Sequence, residues 1–312
     1  MASNGKTVSG TGFVEMVEIR GGLNMLHDEL RFYPGGDRAI EVELGDGMDF
    51  GLNFTVHRLV AALRDAALPA IEDLIPELAS FQITYDPDRM SYEDMITEVS
   101  RIFDEIGSGM TGELPSRLIT VPVLYFDDKT AECVADYRKQ YPDKVLDPDY
   151  VCELNGLADR AALRRLHCST EYWVAALGFW PGLCSLLPLH PQARIFAPKY
   201  NPPRTWTPKG AIGIGGALTC IYPDRTPGGY QLIGHTPAPS YDSTQRLPDF
   251  KDSLALFRAG DRVRFRPVTV DEYAHIEADV AAGTYRHDIV DYQIFSVERY
   301  LAWHAAQKED RA

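Results

Sequence analysis

Leu118-Ile-Thr-Val-Pro-Val-Leu-Tyr-Phe126 is the most strand-like run in the chain, dominated by β-branched and aromatic side chains that suit a pleated, half-buried surface. Pro122 removes a backbone donor from its middle, which predicts an edge or an irregular pairing there. Two kinds of sequence meet at this run. On its N-terminal side, Ala39-Ile-Glu-Val-Glu-Leu44 alternates apolar and acidic residues with the period of a strand. A helix follows, capped by Asn53 or Thr55, with Val56, Leu59, Val60 and Leu63 on its apolar face and a stop at Ala67-Leu-Pro69. The pattern repeats: Ser80 to Tyr85 reads as a strand, and Ser91-Tyr-Glu-Asp94 opens a second helix whose buried face is Met95, Val99, Ile102, Phe103 and Ile106. Two strand–helix units predict a small α+β or α/β domain that closes near a Gly107 to Pro115 linker.

On the C-terminal side, short helices are predicted at about Thr130 to Lys139, Asp147 to Leu157 and Asp159 to Leu166. From Gly178 to Pro267 the chain is dense in glycine and proline between short apolar runs at Ala211, Leu218, Tyr230 and Arg262, the pattern of a β-barrel or sandwich. A helix over Val270 to Val280, begun by Thr269 or Asp271, a strand-like Tyr285 to Phe295 and a helix from Ser296 to about Ala306 complete the chain. Residues 1–12, polar and rich in Gly and Ser, read as a flexible tail, which divides the chain into 1–12, 13–115, 116–268 and a C-terminal helical extension over 269–312.

The 312 residues carry 31 Lys and Arg against 45 Asp and Glu, a formal charge of −14, which argues against nucleic acid as a partner because phosphates are held by cations. No apolar run reaches the length of a membrane span, and the first residues lack the apolar segment of a signal peptide. Five cysteines, Cys133, Cys152, Cys168, Cys184 and Cys220, form no C-x-x-C pair, so a reduced, cytoplasmic protein is expected. Metal motifs are absent as well: His-x-x-x-His does not occur, and the cysteines are scattered.

The densest chemical segment is Pro198-Lys-Tyr-Asn-Pro-Pro-Arg-Thr-Trp-Thr-Pro-Lys-Gly210. Its prolines stiffen a loop that carries Lys199, Asn201, Arg204 and Lys209, which suits either a ligand site or cations pairing with the protein's own carboxylates. The adjoining Gly210-Ala-Ile-Gly-Ile-Gly-Gly216 lacks the ending of a phosphate loop, so its glycines predict close backbone approach rather than nucleotide binding. Period 2 places Gln231 and His235 on one face of a strand, where both can line a barrel mouth. His167 and Glu171 would meet if a helix spanned them, giving a pair suited to proton transfer or a plain helix-end contact. Phe179, in the turn Gly178-Phe-Trp-Pro-Gly182, can form a ring-binding wall or plug a core.

Taken in order, Gly36 to Asp46, Leu74-Ile-Pro-Glu-Leu-Ala-Ser-Phe81, Val121-Pro-Val123, His167 with Tyr172, Gly178 to Gly182, Pro227-Gly-Gly-Tyr230 and Ile233-Gly-His-Thr-Pro237 resemble the carboxyltransferase subunit 1 family, from Gly36 to Pro267. That family includes the small (B-type) component of bacterial 5-oxoprolinase, proteins labelled allophanate hydrolase subunit 1 and a sporulation kinase inhibitor. Lys199 to Gly216, Cys220-Ile-Tyr222, Gly228 to Gln231 and Arg264 to Tyr273 look closest to the carboxyltransferase domain of urea carboxylase. Tyr230 stands where the family has Trp, and His235 where it usually has Arg. The resemblance implies an α+β chain with a ferredoxin-like N-terminal domain and a cyclophilin-like β-barrel domain. It implies carboxyl transfer from biotin, carried as carboxybiotin on a partner, to a urea-like or amide nitrogen, with a subunit 2 homologue completing the site and a biotin carboxylase and biotin carrier as further partners. ATP would be used only on a partner subunit. Alternatives from the same family are an ATP-dependent 5-oxoprolinase or allophanate-hydrolase-type amidohydrolase and a histidine-kinase inhibitor. In the carboxyltransferase reading Lys199, His167 and His235 are candidate catalytic groups, and Asn201, Arg204, Tyr172, Phe179, Tyr230 and Gln231 candidate substrate-binding groups.

Overall fold

The structure, a computed structural model, describes residues 26–107 and 112–309. The expected 1–12 tail lies outside them, as do four residues of the expected linker. The first part is a four-stranded antiparallel sheet built from β1 (Leu26–Pro34), β2 (Ala39–Gly45), β3 (Ile71–Pro76) and β4 (Ser80–Tyr85) in the order β1-β2-β4-β3. Helices α1 (Phe50–Ala66) and α2 (Tyr92–Ile106) pack on it. The alternation at residues 39–44 is real: Ile40, Val42 and Leu44 are buried and meet Phe81 and Ile83 of β4, Val56, Leu59 and Leu63 of α1, and Met95, Val99 and Ile102 of α2. Strands β1 and β3 are additions to the two strands that the sequence pattern predicts.

Helix α1 begins before the expected cap. Asp49 takes that role, accepting from the Gly51 and Leu52 amides at 2.8 and 3.2 Å. Asn53, expected as the cap, lies inside the helix and bonds elsewhere. Helix α2 starts at Ser91 as expected, its side chain accepting from the Asp94 amide.

The second sheet has eight strands: β5 (Glu113–Tyr125), β6 (Glu171–Leu177), β7 (Cys184–Pro188), β9 (Ala211–Gly215), β10 (Leu218–Ile221), β12 (Gln231–His235), β13 (Arg262–Pro267) and β14 (Asp288–Ser296), ordered β12-β9-β10-β7-β6-β13-β5-β14. Pairing of β12 with β5, Gly234 opposite Tyr125 and His235 opposite Leu124, closes the first seven into a ring, and closure removes the exposed strand edges of an open sheet. On the side of β5 away from β13, β14 pairs up to Thr120 and β12 begins at Leu124, so Pro122 falls in the gap where no donor is needed. The proline therefore marks a handover between neighbours and not an edge. Ile119, Val121, Val174, Leu186, Ile212, Ile214, Ile233 and Val263 form one core with Val151 of α4 (Asp147–Leu154) and Leu163 of α5 (Arg160–His167). Helix α3 (Asp128–Arg138) precedes these two, and a two-stranded ribbon of β8 (Arg204–Thr207) and β11 (Thr226–Gly228) stands beside the ring.

Helix α6 (Val270–Ala282) carries the full capping box of Thr269 and Glu272. Helix α7 (Val297–Glu309) returns to the seam between the two sheets, where Val297 and Tyr300 pack with Phe50 and Phe54 of α1 and Trp173 of β6. Helix α5 ends at His167 and Glu171 starts β6, so the helix that would have joined these two side chains does not exist. Glu171 instead pairs with Arg262 and Arg264 at 2.8 and 2.7 Å.

Candidate functional site

The stiff loop ahead of β8 is anchored from below. The Tyr200 amide donates to Gly229 O at 2.6 Å and the Tyr137 hydroxyl to Pro202 O at 2.8 Å. Arg204 does not stand on the loop's surface. Its side chain is 2% exposed, with its guanidinium 4.3 Å from the Tyr200 ring centroid, Nη1 3.8 Å from Asp147 Oδ2 and Nη2 3.3 Å from Thr207 Oγ1. Asp147, wholly buried at the start of α4, accepts from the Tyr200 hydroxyl, from Lys144 Nζ at 2.8 Å and from the Leu232 amide at 2.7 Å. Burial works against the Arg204 charge, but Tyr222, Asp147, Tyr200 and Cys133 around it leave the guanidinium above its ordinary pKa. Burial, reinforced by Asp147, pushes the Tyr200 hydroxyl up. A buried charge pair of this kind is retained only when its geometry and hydrogen bonds offset its lost hydration. Lys144 and Asp147 do not stand out in the sequence: an Asp-Pro at a helix start is common, and nothing local reveals that its carboxylate turns inward.

Above this cluster lies a cavity of about 550 Å³ lined by Glu77, Phe179, Lys199, Tyr200, Tyr222 and Tyr230, among others. Lys199 is exposed at the rim, and its ammonium sits 5.3 Å from the Tyr230 ring centroid, within cation–π range. The Tyr230 side chain lies across the glycine-rich strand: a Cβ at Gly215 would be 2.3 Å from a ring atom, and one at Gly213 2.8 Å from the Tyr230 Cβ. Those glycines thus serve close approach, as expected. Gly228 does the same on the opposite wall, where a Cβ would fall 2.6 Å from the Tyr222 hydroxyl. Phe179 is 73% exposed and held at φ +70°, a left-handed conformation that costs a bulky residue energy and is kept where the surroundings impose it.

The remaining expected residues separate. Gln231 and Asn201 line a second cavity of about 270 Å³, which shares Lys199 and Tyr200 with the first. Both ends of the Gln231 amide are engaged: Nε2 donates to Pro198 O at 2.7 Å and Oε1 accepts from Lys144 at 3.1 Å. His235 lies in a third cavity, about 370 Å³, with Lys129, Lys209 and Tyr273, its Nδ1 2.8 Å from the Tyr273 hydroxyl. Burial lowers its pKa, with the Asp127 charge opposing. Gln231 and His235 do not share a mouth, because the β12–β9 register shifts between Leu232 and Gly234 and breaks the period-2 alternation. His167 and Tyr172 are core residues. His167 is wholly buried against Phe265 with Nδ1 2.7 Å from the Tyr125 hydroxyl, and burial lowers its pKa to about 3. The Tyr172 hydroxyl donates to His167 O at 2.9 Å.

Among the described residues no group of three or more His, Cys, Asp or Glu could hold a metal ion, and no helix is long and apolar enough to cross a membrane. All five cysteines are free thiols.

A family model described as carboxyltransferase domain, subdomain C and D, matches residues 30–250. Urea amidolyase of Saccharomyces cerevisiae is 29% identical over 294 residues, which are 92% of this chain and 16% of that protein. The chain therefore spans only a small share of that relative. The B-type component of 5-oxoprolinase from Bacillus subtilis is 30% identical over 250 residues, 76% of this chain and 92% of that one, and its counterpart in Escherichia coli O157:H7 is 32% identical over 238 residues, 76% and 95%. Among solved structures, urea carboxylase of Kluyveromyces lactis superposes with a TM-score of 0.78 at 28% identity, over 90% of this chain and 25% of that one.

Proposed function

Because this chain belongs to the carboxyltransferase domain, subdomain C and D, family, we propose that it is the carboxyltransferase subunit of a heteromeric biotin-dependent carboxylase. It transfers a carboxyl group from carboxybiotin to the nitrogen of a urea-like or amide acceptor, in a site completed by a subunit 2 homologue. The four-stranded sheet with its two helices is read as the ferredoxin-like domain, and the closed seven-stranded ring as the cyclophilin-like barrel. ATP is consumed on the biotin carboxylase partner, and the free thiols agree with a reducing, cytoplasmic setting.

The observation that carries this reading is the 550 Å³ cavity with an ammonium, that of Lys199, at aromatic walls. Phe179 and Tyr230 offer flat surfaces for a fused ring, Gly228 lets backbone come close, and Lys199 supplies the charge for a carboxylate. Carboxybiotin, when bound, supplies the activated carboxyl group. The chain's own residues hold and orient: Lys199 fixes the oxygen on which negative charge builds, and the buried Arg204–Asp147 pair keeps Tyr200 and the loop in place behind it. Asn201, exposed on the neighbouring rim, can turn its amide toward the acceptor. His167, neutral and enclosed, acts as packing and not as a proton relay.

Lys199→Ala in the reconstituted complex is expected to lower carboxyl transfer by about 100-fold while the subunits still assemble, the scale seen when one transition-state donor is lost. Wild-type turnover by that variant would overturn the assignment. A second reading, the small subunit of an ATP-dependent 5-oxoprolinase-type hydrolase, draws on the near-complete coverage of the 5-oxoprolinase components, 92 and 95%. The urea branch is favoured because its match extends over 92% of this chain against 76%. Copurification of a biotinylated carrier with the native complex separates the two readings.

A further inference from the structure

The cavity has a wall that the barrel does not supply. Glu77 sits in the turn between β3 and β4 of the four-stranded sheet, a hairpin closed by its own amide donating to Ser80 O at 2.9 Å. That turn is tied to the barrel by one buried side chain. Asn53 of α1 is 1% exposed, and its Nδ2 lies 3.0, 3.1 and 3.2 Å from the carbonyls of Glu77, Leu78 and Ala175, while its Oδ1 accepts from Trp173 Nε1 at 2.9 Å. The backbone of Glu77 is therefore fixed against β6. At the end of β6 the carboxylate comes so near that a Cβ on Gly178 would stand 3.1 Å from Glu77 Oε1.

Glu77 is half-buried, and among the described residues no hydrogen bond or ion pair reaches its carboxylate. A carboxylate partly removed from water with no donor loses hydration that nothing in the chain replaces. Burial, with Glu41 nearby adding to it, raises the Glu77 pKa above the usual carboxylate range. Lys199 lines the same cavity and only donates, whereas an ionised carboxylate only accepts. A small ligand that satisfies both groups carries N–H donors at one end and a carbonyl oxygen at the other. We propose, resting on the reading above for the use of this cavity, that Glu77 is a substrate-binding residue that accepts hydrogen bonds from the N–H groups of a primary amide or urea whose carbonyl oxygen faces Lys199. The acceptor is then recognised jointly by the two sheets, and the cavity's remaining volume is left for the carboxyl donor.

Acetamide and acetone test this directly, since they are nearly the same shape and differ in an NH2 against a CH3. Binding of each to the purified full-length chain is read by saturation transfer to their methyl signals. The wild type is expected to prefer acetamide by about 10-fold, the scale of one hydrogen bond to a charged group, and Glu77→Ala to bring the preference close to 1. If Glu77→Ala does not fold, Glu77→Gln keeps the volume and is expected to reduce the preference at least about 3-fold. In the reconstituted complex Glu77→Gln should raise the acceptor KM by about 10-fold with a smaller change in kcat, as for loss of uniform binding. An unchanged preference in the variants, or none in the wild type, overturns the proposal. Should Lys199→Ala abolish transfer while the Glu77 variants keep the preference, the role of Glu77 falls and the carboxyltransferase reading stands. Should no carboxyl transfer be found while the preference depends on Glu77, the reverse holds.

Discussion

His57 and His167 show how strongly position alters a residue that is unremarkable in the sequence. Burial lowers the His57 pKa to about 4, a hydrogen bond to Ala175 O at 3.0 Å opposing and Arg64 adding to it, and burial lowers that of His167 to about 3. In the unfolded chain both return to about 6.5, so below that pH the unfolded state binds protons that the folded state refuses. Their contribution to stability is complete above pH 6.5 and is lost as pH falls toward 4, at about 1.4 kcal/mol per pH unit for each. Urea midpoints measured from pH 7 to 5 should fall accordingly, and His57→Gln should remove its share of the slope; a slope unaltered by that change would refute the assignment. The same scale governs the cations. Lys199, Arg204 and Lys209 look alike in a stiff loop, yet Arg204 is buried against Asp147 and Tyr200, while Lys199 and Lys209 face different cavities. Their residue types were legible, but the direction of each side chain depends on what packs beneath the loop.

Helix α1 carries more than its apolar stripe. The stripe was legible because burial on one face imposes a 3.6-residue period. Asn53 was not, since a polar residue near a helix start reads as a cap, and here Asp49 fills that role. Asn53→Leu would leave the carbonyls of Glu77, Leu78 and Ala175 and the indole N–H of Trp173 without this partner. A loss of about 3 kcal/mol is expected, measured as a lower urea midpoint with unchanged slope, because buried polar groups left unpaired lose their hydration uncompensated. A change within about 0.5 kcal/mol would mean that the clamp contributes nothing beyond an ordinary surface position. Strand β12 makes the complementary point. Its existence followed from Tyr230-Gln-Leu-Ile, but the register shift that separates Gln231 from His235 arises from pairing with β9 and leaves no mark in the composition of the strand.

At the scale of the whole molecule, closure and the seam hold the parts in place. Strand β14 covers β5 from Glu113 to Thr120, and α7 brings Tyr300 between Phe50 and Phe54, its hydroxyl donating to Leu189 O at 2.8 Å. Ending the chain at Gly283 would uncover these rings and leave the β5 edge unpaired. With Val297 and Tyr300 each contributing about 1.5–3 kcal/mol through burial, a loss of about 5 kcal/mol and association through the open edge are expected, seen in the urea midpoint and in light scattering. An unaltered midpoint would show that the extension is an appendage. By itself the sequence determined the mixed α/β class, the succession of strand–helix units followed by short strands, the cap of α2 and the family, because periodicity, capping and turn chemistry act between residues close along the chain. Only the tertiary structure decided which candidates share a cavity, that Arg204 and His167 turn inward, and that Glu77, at a hairpin of the other sheet, reaches the same space as Lys199. Those outcomes depend on contacts between residues far apart along the chain, from Arg204 with Asp147 to Asn53 with Ala175, and no local pattern encodes them.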